Sequence, residues 1–400
     1  MNSPLVVALA AALLAAACSD ASTLPSTASD DGGAGAAADS GAAPATDGGA
    51  TTADGGGGST TAGVACGYAY SGYNGSASVK TTSTVTWSCT ATTRSVSSNG
   101  IPDHDVGTFP NPNCPNTITA QTVSATMTLA PVNTGTASRP GAGGVGYALN
   151  GVKLDPGTAG TCTGGDAGTS CSLAGGGGAW NIEALGQSSF DFGVDGSNAH
   201  VQPNGAYHYH GMPEALLTRL GKGSATTLVG YALDGFPVYA RYGHATPMDG
   251  ASAIVVMKGS YARKATPDSG RPGVSTYPMG AFAEDYEYVA GSGDLDECNG
   301  RIDVTPEFPA GIYHYYITDT YPFIQRCVKG TAGARATDGG TMGPPAGDGG
   351  ASCASSPCAA SQVCCPAGQP CAGTCVPDCR LGTSCPSGLT CDTATGICKP

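Results

Sequence analysis

Six histidines occur in this 400-residue chain, and four of them fall where one metal ion could gather them. His208 and His210 stand two apart in Tyr207-His208-Tyr209-His210. On a strand, side chains at i and i+2 share a face, so the two imidazoles would point one way and Tyr207 and Tyr209 the other. A third ligand must come from elsewhere. His200 lies upstream across the turn-prone Gln202-Pro203-Asn204-Gly205, and a hairpin-like return would bring it beside the strand. His104, in the Gly/Pro-rich loop Asn99-Gly100-Ile101-Pro102-Asp103-His104-Asp105, is the expected fourth ligand. Three or four neutral imidazoles suit zinc, copper or iron, and zinc or copper is the expected cofactor. Asp103, Asp105 and Asp195 are candidates to orient the rings as hydrogen-bond acceptors. The competing reading is plainer: histidines on a tyrosine-rich strand that only hydrogen-bond across a sheet, with the tyrosines as packing.

The histidine segment belongs to a repeat. Asp195-x-x-Asn198-x-His200 and then Tyr207-His208-Tyr209-His210 are matched by Asp296-x-x-Asn299-x-Arg301 and Tyr313-His314-Tyr315-Tyr316. Upstream of each stands a further block, Gly146-Tyr147-Ala148-Leu149-Asn150-Gly151 and Gly230-Tyr231-Ala232-Leu233-Asp234-Gly235. Three matching blocks in the same order imply a duplicated unit, about 146–213 and 230–316. In the second copy Arg301 replaces His200 and Tyr316 replaces His210, leaving His314. That copy reads as scaffold, a buried polar network of Asp296, Asn299, Arg301 and His314 in which the arginine fork pairs with a carboxylate. Asp195 and Asp234 complete the candidate polar set. Asp234 opens the tight turn Asp234-Gly235-Phe236-Pro237, where it either caps the turn or faces the site. His244 reads as a surface loop residue.

Several elements must carry these groups. Ser78–Cys89 and Thr117–Leu129 alternate and are rich in Val, Ile and Thr, and they predict strands, as does Val238–Tyr242. Gly and Pro recur too often for long helices. The helical candidate is Pro213–Leu220, opened by Pro, acidic in its first turn through Glu214 and ended by Gly221. The expectation is a mainly β, duplicated, sandwich-like domain over 64–330, with two pseudo-equivalent halves and one or two short helices.

The flanks differ in kind. Leu5–Ala17 is an apolar run too short to span a bilayer, and small residues precede Cys18. Residues 1–18 therefore resemble a lipoprotein-type signal, with Cys18 as the lipidation site. The expected outcome is an exported outer-membrane or cell-surface protein, bound to the membrane through its lipid; ordinary cleavage and secretion is the alternative. Residues 19–63 hold no Lys, Arg or aromatic. They cannot bury enough surface to offset their ordering entropy, so they read as a disordered tether reaching about 35–40 Å.

A net charge of −13 with only 17 Lys and Arg leaves no basic stripe, which argues against nucleic acid as a partner. Eighteen cysteines in an exported chain argue for disulfides. Cys162 and Cys171 close a short Gly-rich loop, and Cys298 and Cys327 are expected to pair. Of Cys66, Cys89 and Cys114, one is left over unless it pairs outside the domain, and the sequence does not say which. Residues 331–352 repeat the linker composition, and ten cysteines crowd into 353–398. The segment 353–400 is thus expected to be a small module ordered by bridges rather than by a core. A monomer is expected.

At these residues the chain resembles the YHYH-domain proteins. The matching stretches are Asn99–His104, Tyr207–Pro213, Gly230–Tyr239, Asp294–Arg301 and Tyr313–Cys327. The resemblance implies an exported bacterial protein and locates the domain and its site; it implies no reaction. Metal binding through the first-half histidines is the expected function. The alternative is a metal-free module whose 17 tyrosines and 2 tryptophans line a groove for glycan or peptide. Nucleophilic catalysis ranks below both, because the chain has no Gly-x-Ser-x-Gly elbow.

Overall fold

The structure, a computed structural model, describes residues 65–140, 143–165, 168–175, 177–335 and four short strands between 362 and 399. The expected signal segment with Cys18, the tether 19–63 and residues 336–352 of the linker expected over 331–352 lie outside the described residues; residues 331–335 are described, and Arg335 bridges Ala125. In the cysteine-rich segment only two strand pairs are described, Gln362–Cys364 with Cys375–Pro377 and Thr390–Asp392 with Ile397–Lys399.

Strands β1 (Ala69–Asn74), β2 (Thr81–Cys89), β3 (Thr93–Ser98) and β4 (Val123–Thr128) form an antiparallel meander. Alternation along β2 and β4 puts Val85, Trp87, Val123, Ala125 and Met127 on one buried face. Next come β5 (Gly146–Ala148) and β6 (Lys153–Leu154). A small sheet follows from β7 (Thr161–Cys162), β8 (Cys171–Ser172) and β9 (Trp180–Asn181). Then come β10 (Ala199–Val201), β11 (Tyr207–Tyr209), the helix α1 (Glu214–Leu220), β12 (Leu228–Ala232) and β13 (Pro237–Tyr239). Two hairpin-like pairs, β14 (Tyr242–His244) with β15 (Ile254–Val256) and β16 (Tyr261–Arg263) with β17 (Tyr286–Tyr288), precede β18 (Gly300–Asp303) and β19 (Ile312–Tyr316).

The central sheet runs β10-β11-β6-β5-β12-β13-β19-β18. Its order is palindromic in the repeated blocks. At its middle, β5 and β12 pair antiparallel with Tyr147 opposite Tyr231, the same position of the two copies. On either side β6 pairs parallel with β11, and β13 with β19. The outer hairpins then match: His200 faces His208, and Arg301 faces His314. A pseudo-twofold axis through the Tyr147–Tyr231 pair relates the halves. Gly146 and Gly230 permit that central contact. A Cβ on Gly146 would fall 2.4 Å from the Tyr231 carbonyl oxygen, and one on Gly230 would fall 2.1 Å from that of Tyr147.

The fold is mainly β and sandwich-like. The meander packs on one face of the central sheet, where Val85, Trp87 and Met127 share a core with Tyr147, Tyr231, Tyr239 and Tyr316. The other face carries Tyr207, Tyr209, Tyr313 and Tyr315 with Leu216 of α1. Among the described residues β1–β4 have no counterpart, so the pseudo-symmetry there is that of the central sheet. The helix ends as its sequence dictates: Gly221 takes φ 63° and its N–H returns to the Leu217 and Thr218 carbonyls. A single 3₁₀ turn, Ala283–Asp285, is the other helical element among the described residues. The predicted strand Val238–Tyr242 is broken instead into β13 and β14. Disulfides join Cys66 to Cys89, Cys162 to Cys171 and Cys298 to Cys327; Cys114 is a buried free thiol.

Candidate metal centre

The hairpin β10–β11 builds the centre. The Asp195 carboxylate accepts the Ser197 N–H at 2.9 Å, and Asn198 turns the chain with φ 54°. Asn and Asp tolerate that left-handed conformation better than other side-chain-bearing residues. Past Val201 the chain reverses at Gln202–Gly205, where the Gly205 N–H reaches the Gln202 carbonyl at 2.8 Å. His200 consequently lies directly across from His208, and His210 follows on the same face. One ring nitrogen from each of His200, His208 and His210 lies within 4.8 Å of the others. The ring centroids stand 4.6–4.7 Å apart.

Backbone carbonyls orient two of the rings. His200 Nδ1 donates to the Phe192 carbonyl at 2.9 Å, and His208 Nδ1 to that of Ala206 at 3.3 Å. This tautomer leaves Nε2 of both rings with a lone pair. His210 Nδ1 is buried without a hydrogen bond of good geometry, and the Pro156 carbonyl gives it only weak support. The Nε2 atoms of His200 and His210 stand 3.1 Å apart. Two nitrogens on a tetrahedral ion at 2.0–2.1 Å would be separated by about 3.3 Å. The pair is therefore spaced for a shared ion.

Burial tunes all three rings toward the neutral, ligating form. His208 and His210 are each 2% exposed, and His200 is half-buried. Desolvation, then the neighbouring imidazoles, hold His208 and His210 well below the ordinary histidine value. Desolvation also lowers His200, opposed by its bond to Phe192 and by Asp155 and Asp195. Two cations add to the effect: Lys153, register neighbour of His208, and Arg326, which is ion-paired with Glu183 at 2.6 Å.

The structure does not bring His104 to this group. Its loop leaves β3 and is pinned by the Asn74 amide, which donates to the Pro102 and His104 carbonyls at 2.8 and 2.7 Å. That places the ring on the tyrosine face of β11. Its Nε2 meets the Tyr209 hydroxyl at 2.5 Å and its Nδ1 the Asp105 carbonyl at 2.8 Å, so neither nitrogen is open to an ion. Asn150 donates to the same hydroxyl at 2.9 Å and to Asp103 at 3.0 Å, and Arg219 pairs with Asp103 at 2.7 Å. Asp195 also faces the tyrosines, accepting from Tyr207 at 2.7 Å. The carbonyls of Phe192 and Ala206, rather than Asp103, Asp105 or Asp195, orient the rings of His200 and His208.

The second half repeats this scaffold without the triad. Asp296 accepts from Tyr313 at 2.9 Å, as Asp195 does from Tyr207. Asp234 takes the place of Asn150, with Oδ2 accepting from Tyr315 at 2.6 Å and from the Gly330 N–H at 2.9 Å. Its Oδ1 accepts from Phe236 N–H at 3.3 Å, so it also caps its own turn. Asn299, at φ 58°, donates to the Tyr316 carbonyl and the Thr318 hydroxyl. Arg301 pairs with Asp303, not with Asp296, because alternation sends Arg301 and Asp303 to the same face of β18. His314 Nδ1 donates to the Ile312 carbonyl at 2.9 Å, repeating the His208–Ala206 bond, while its Nε2 is buried without a hydrogen-bond partner. His244 lies in β14 rather than in a surface loop: its carbonyl accepts from the Arg301 guanidinium, and its ring is half-buried.

Lys153, Arg326 and Phe192 also border the triad, and Glu183 holds Arg326. Only the parallel pairing of β6 with β11 reveals Lys153, and nothing in its local sequence signals it.

The fold and the site together define a class: a pseudo-symmetric β domain with an imidazole triad in one half and an arginine-centred cluster in the other. The chain belongs to the YHYH protein family, whose model matches residues 124–330. That match spans both repeats and begins inside the meander, at β4. No curated protein and no solved structure matches the chain.

Proposed function

We propose that this domain binds one transition-metal ion, zinc or copper, through His200, His208 and His210. The observation that carries the reading is the meeting of three ring nitrogens within 4.8 Å, on two buried rings and one half-buried ring. Neutral imidazoles favour these borderline ions over magnesium or calcium, which prefer oxygen. Three protein nitrogens leave the ion a further coordination position, for a protein side chain or for solvent. The chain's own part is to hold the rings neutral, orient His200 and His208 through Nδ1 and exclude bulk water by burial.

The setting we propose is the cell envelope, with the protein exported and held by lipid at Cys18. The short apolar segment before Cys18 and the disulfide-forming cysteines support it. The test is metal analysis of the protein purified from a periplasmic host. Near-stoichiometric zinc or copper in the wild type, lost in the His208→Ala/His210→Ala double variant, is the expected result. A wild-type protein that takes up neither ion from excess at neutral pH would end the reading.

A further inference from the structure

Asp155 directly follows β6. The β6–β11 register pairs His208 with Lys153 and Tyr209 with Leu154, so Asp155 comes next, beside His210. Its N–H bonds to the Tyr209 carbonyl at 2.9 Å, which continues the ladder. By alternation its side chain shares the face of Lys153 and of the triad. The carboxylate is weakly held. Oδ2 stands 3.4 Å from Lys153 Nζ and 3.5 Å from Gln202 Nε2, both long for hydrogen bonds, and Oδ1 has no partner among the described residues. Lys153 already has a better partner in Gln202 Oε1, at 2.9 Å.

The second half shows where a side chain at this position goes. Tyr239 is the counterpart of Asp155: it follows Val238 as Asp155 follows Leu154, and it pairs with Tyr316 as Asp155 neighbours His210. Its ring lies 4.9 Å from that of His314, the counterpart of His208. A tyrosine at this position thus lies against the counterpart of His208.

We propose that Asp155 supplies a fourth, oxygen ligand to the ion held by His200, His208 and His210, and so makes the centre selective for a divalent ion. This rests on the metal reading above. The carboxylate stands outside the 4.8 Å group and joins it by side-chain rotation, giving up only its two long contacts. Three neutral imidazoles bring no charge, and Lys153 and Arg326 border the pocket. A divalent ion there gains from one carboxylate; a hard oxygen donor adds little for copper(I), which prefers soft ligands.

The test titrates full-length protein with zinc(II) and, separately, with copper(I) against competing chelators. Wild type is compared with Asp155→Asn, which keeps the side chain's shape, and with Asp155→Ala. Expected is a loss of about 10–100-fold in zinc affinity in both variants, a size typical when a supporting carboxylate is removed. Copper(I) affinity should stay within about twofold, and X-ray absorption of the zinc form should show three nitrogens and one carboxylate oxygen in the wild type only. Equal zinc affinity in all three proteins, with wild type binding, overturns the role of Asp155 and leaves the triad standing. Absence of zinc binding by the wild type overturns both.

Discussion

Acidification should unfold this domain in part through His314. The ring is fully buried between Tyr239 and Tyr316, with centroid separations of 4.9 and 4.8 Å. Burial is the largest cause that lowers its pKa to about 4, opposed by the Ile312 carbonyl and Asp303 and aided by Arg301. In the unfolded chain the ordinary value, near 6.5, returns. The unfolded state therefore binds the proton first as pH falls. The stabilisation is whole above about 6.5, shrinks between 6.5 and 4, and is gone below that. The difference corresponds to about 3 kcal/mol. His314→Phe keeps a ring between the two tyrosines, removes the proton site and forfeits one hydrogen bond, at about 1 kcal/mol near neutrality. Urea unfolding at pH 7, 5.5 and 4 on metal-free protein would measure the effect, with the carboxylates common to both proteins cancelling. Between pH 7 and 4 the wild type should lose about 3 kcal/mol more than the variant. Parallel curves would refute the reasoning, since they would mean that the buried ring does not resist protonation.

Three further outcomes follow from the packing. Gly230→Ala would press a methyl group to 2.1 Å from the Tyr147 carbonyl oxygen at the pseudo-twofold axis, and should cost about 3 kcal/mol or more by thermal unfolding. Asp285 accepts from Arg271 at 2.5 and 2.7 Å and from the Gly280 N–H at 2.8 Å, with both side chains of the ion pair 1% exposed. Asp285→Asn should therefore destabilise by about 3–5 kcal/mol in chemical denaturation, because it strands a buried guanidinium. Replacing the Cys298–Cys327 bridge, which closes a 29-residue separation, by two serines should lower stability by about 3–4 kcal/mol, and an unchanged midpoint would show the loop to be ordered without it.

Much of the site could be read from spacing alone. His208 and His210 share a face because the strand period is two, and His200 joins them because Pro203, Asn204 and Gly205 make a turn between two short strands. The helix ends at Gly221 because that residue takes the left-handed conformation. The repeated blocks likewise announced paired halves. His104 went otherwise: its loop has the right composition for a site, but it leaves a different sheet, and the Asn74 amide fixes it on the tyrosine face. Arg301 found Asp303 two residues away rather than Asp296, a choice settled by which face of β18 each residue occupies.

The amino-acid order by itself determined what is local: strand faces, turns, the helix stop, the internal repeat and the three imidazoles of one hairpin. These depend on backbone geometry within a dozen residues. The tertiary structure decided which strands became neighbours, and with them Lys153 and Asp155 beside the triad, the Tyr147–Tyr231 axis and the exclusion of His104. Such adjacency is set by the pairing of β6 with β11 and by the packing of the meander, contacts between segments far apart in the chain. Their outcome depends on the burial of whole faces, which no short stretch of sequence records.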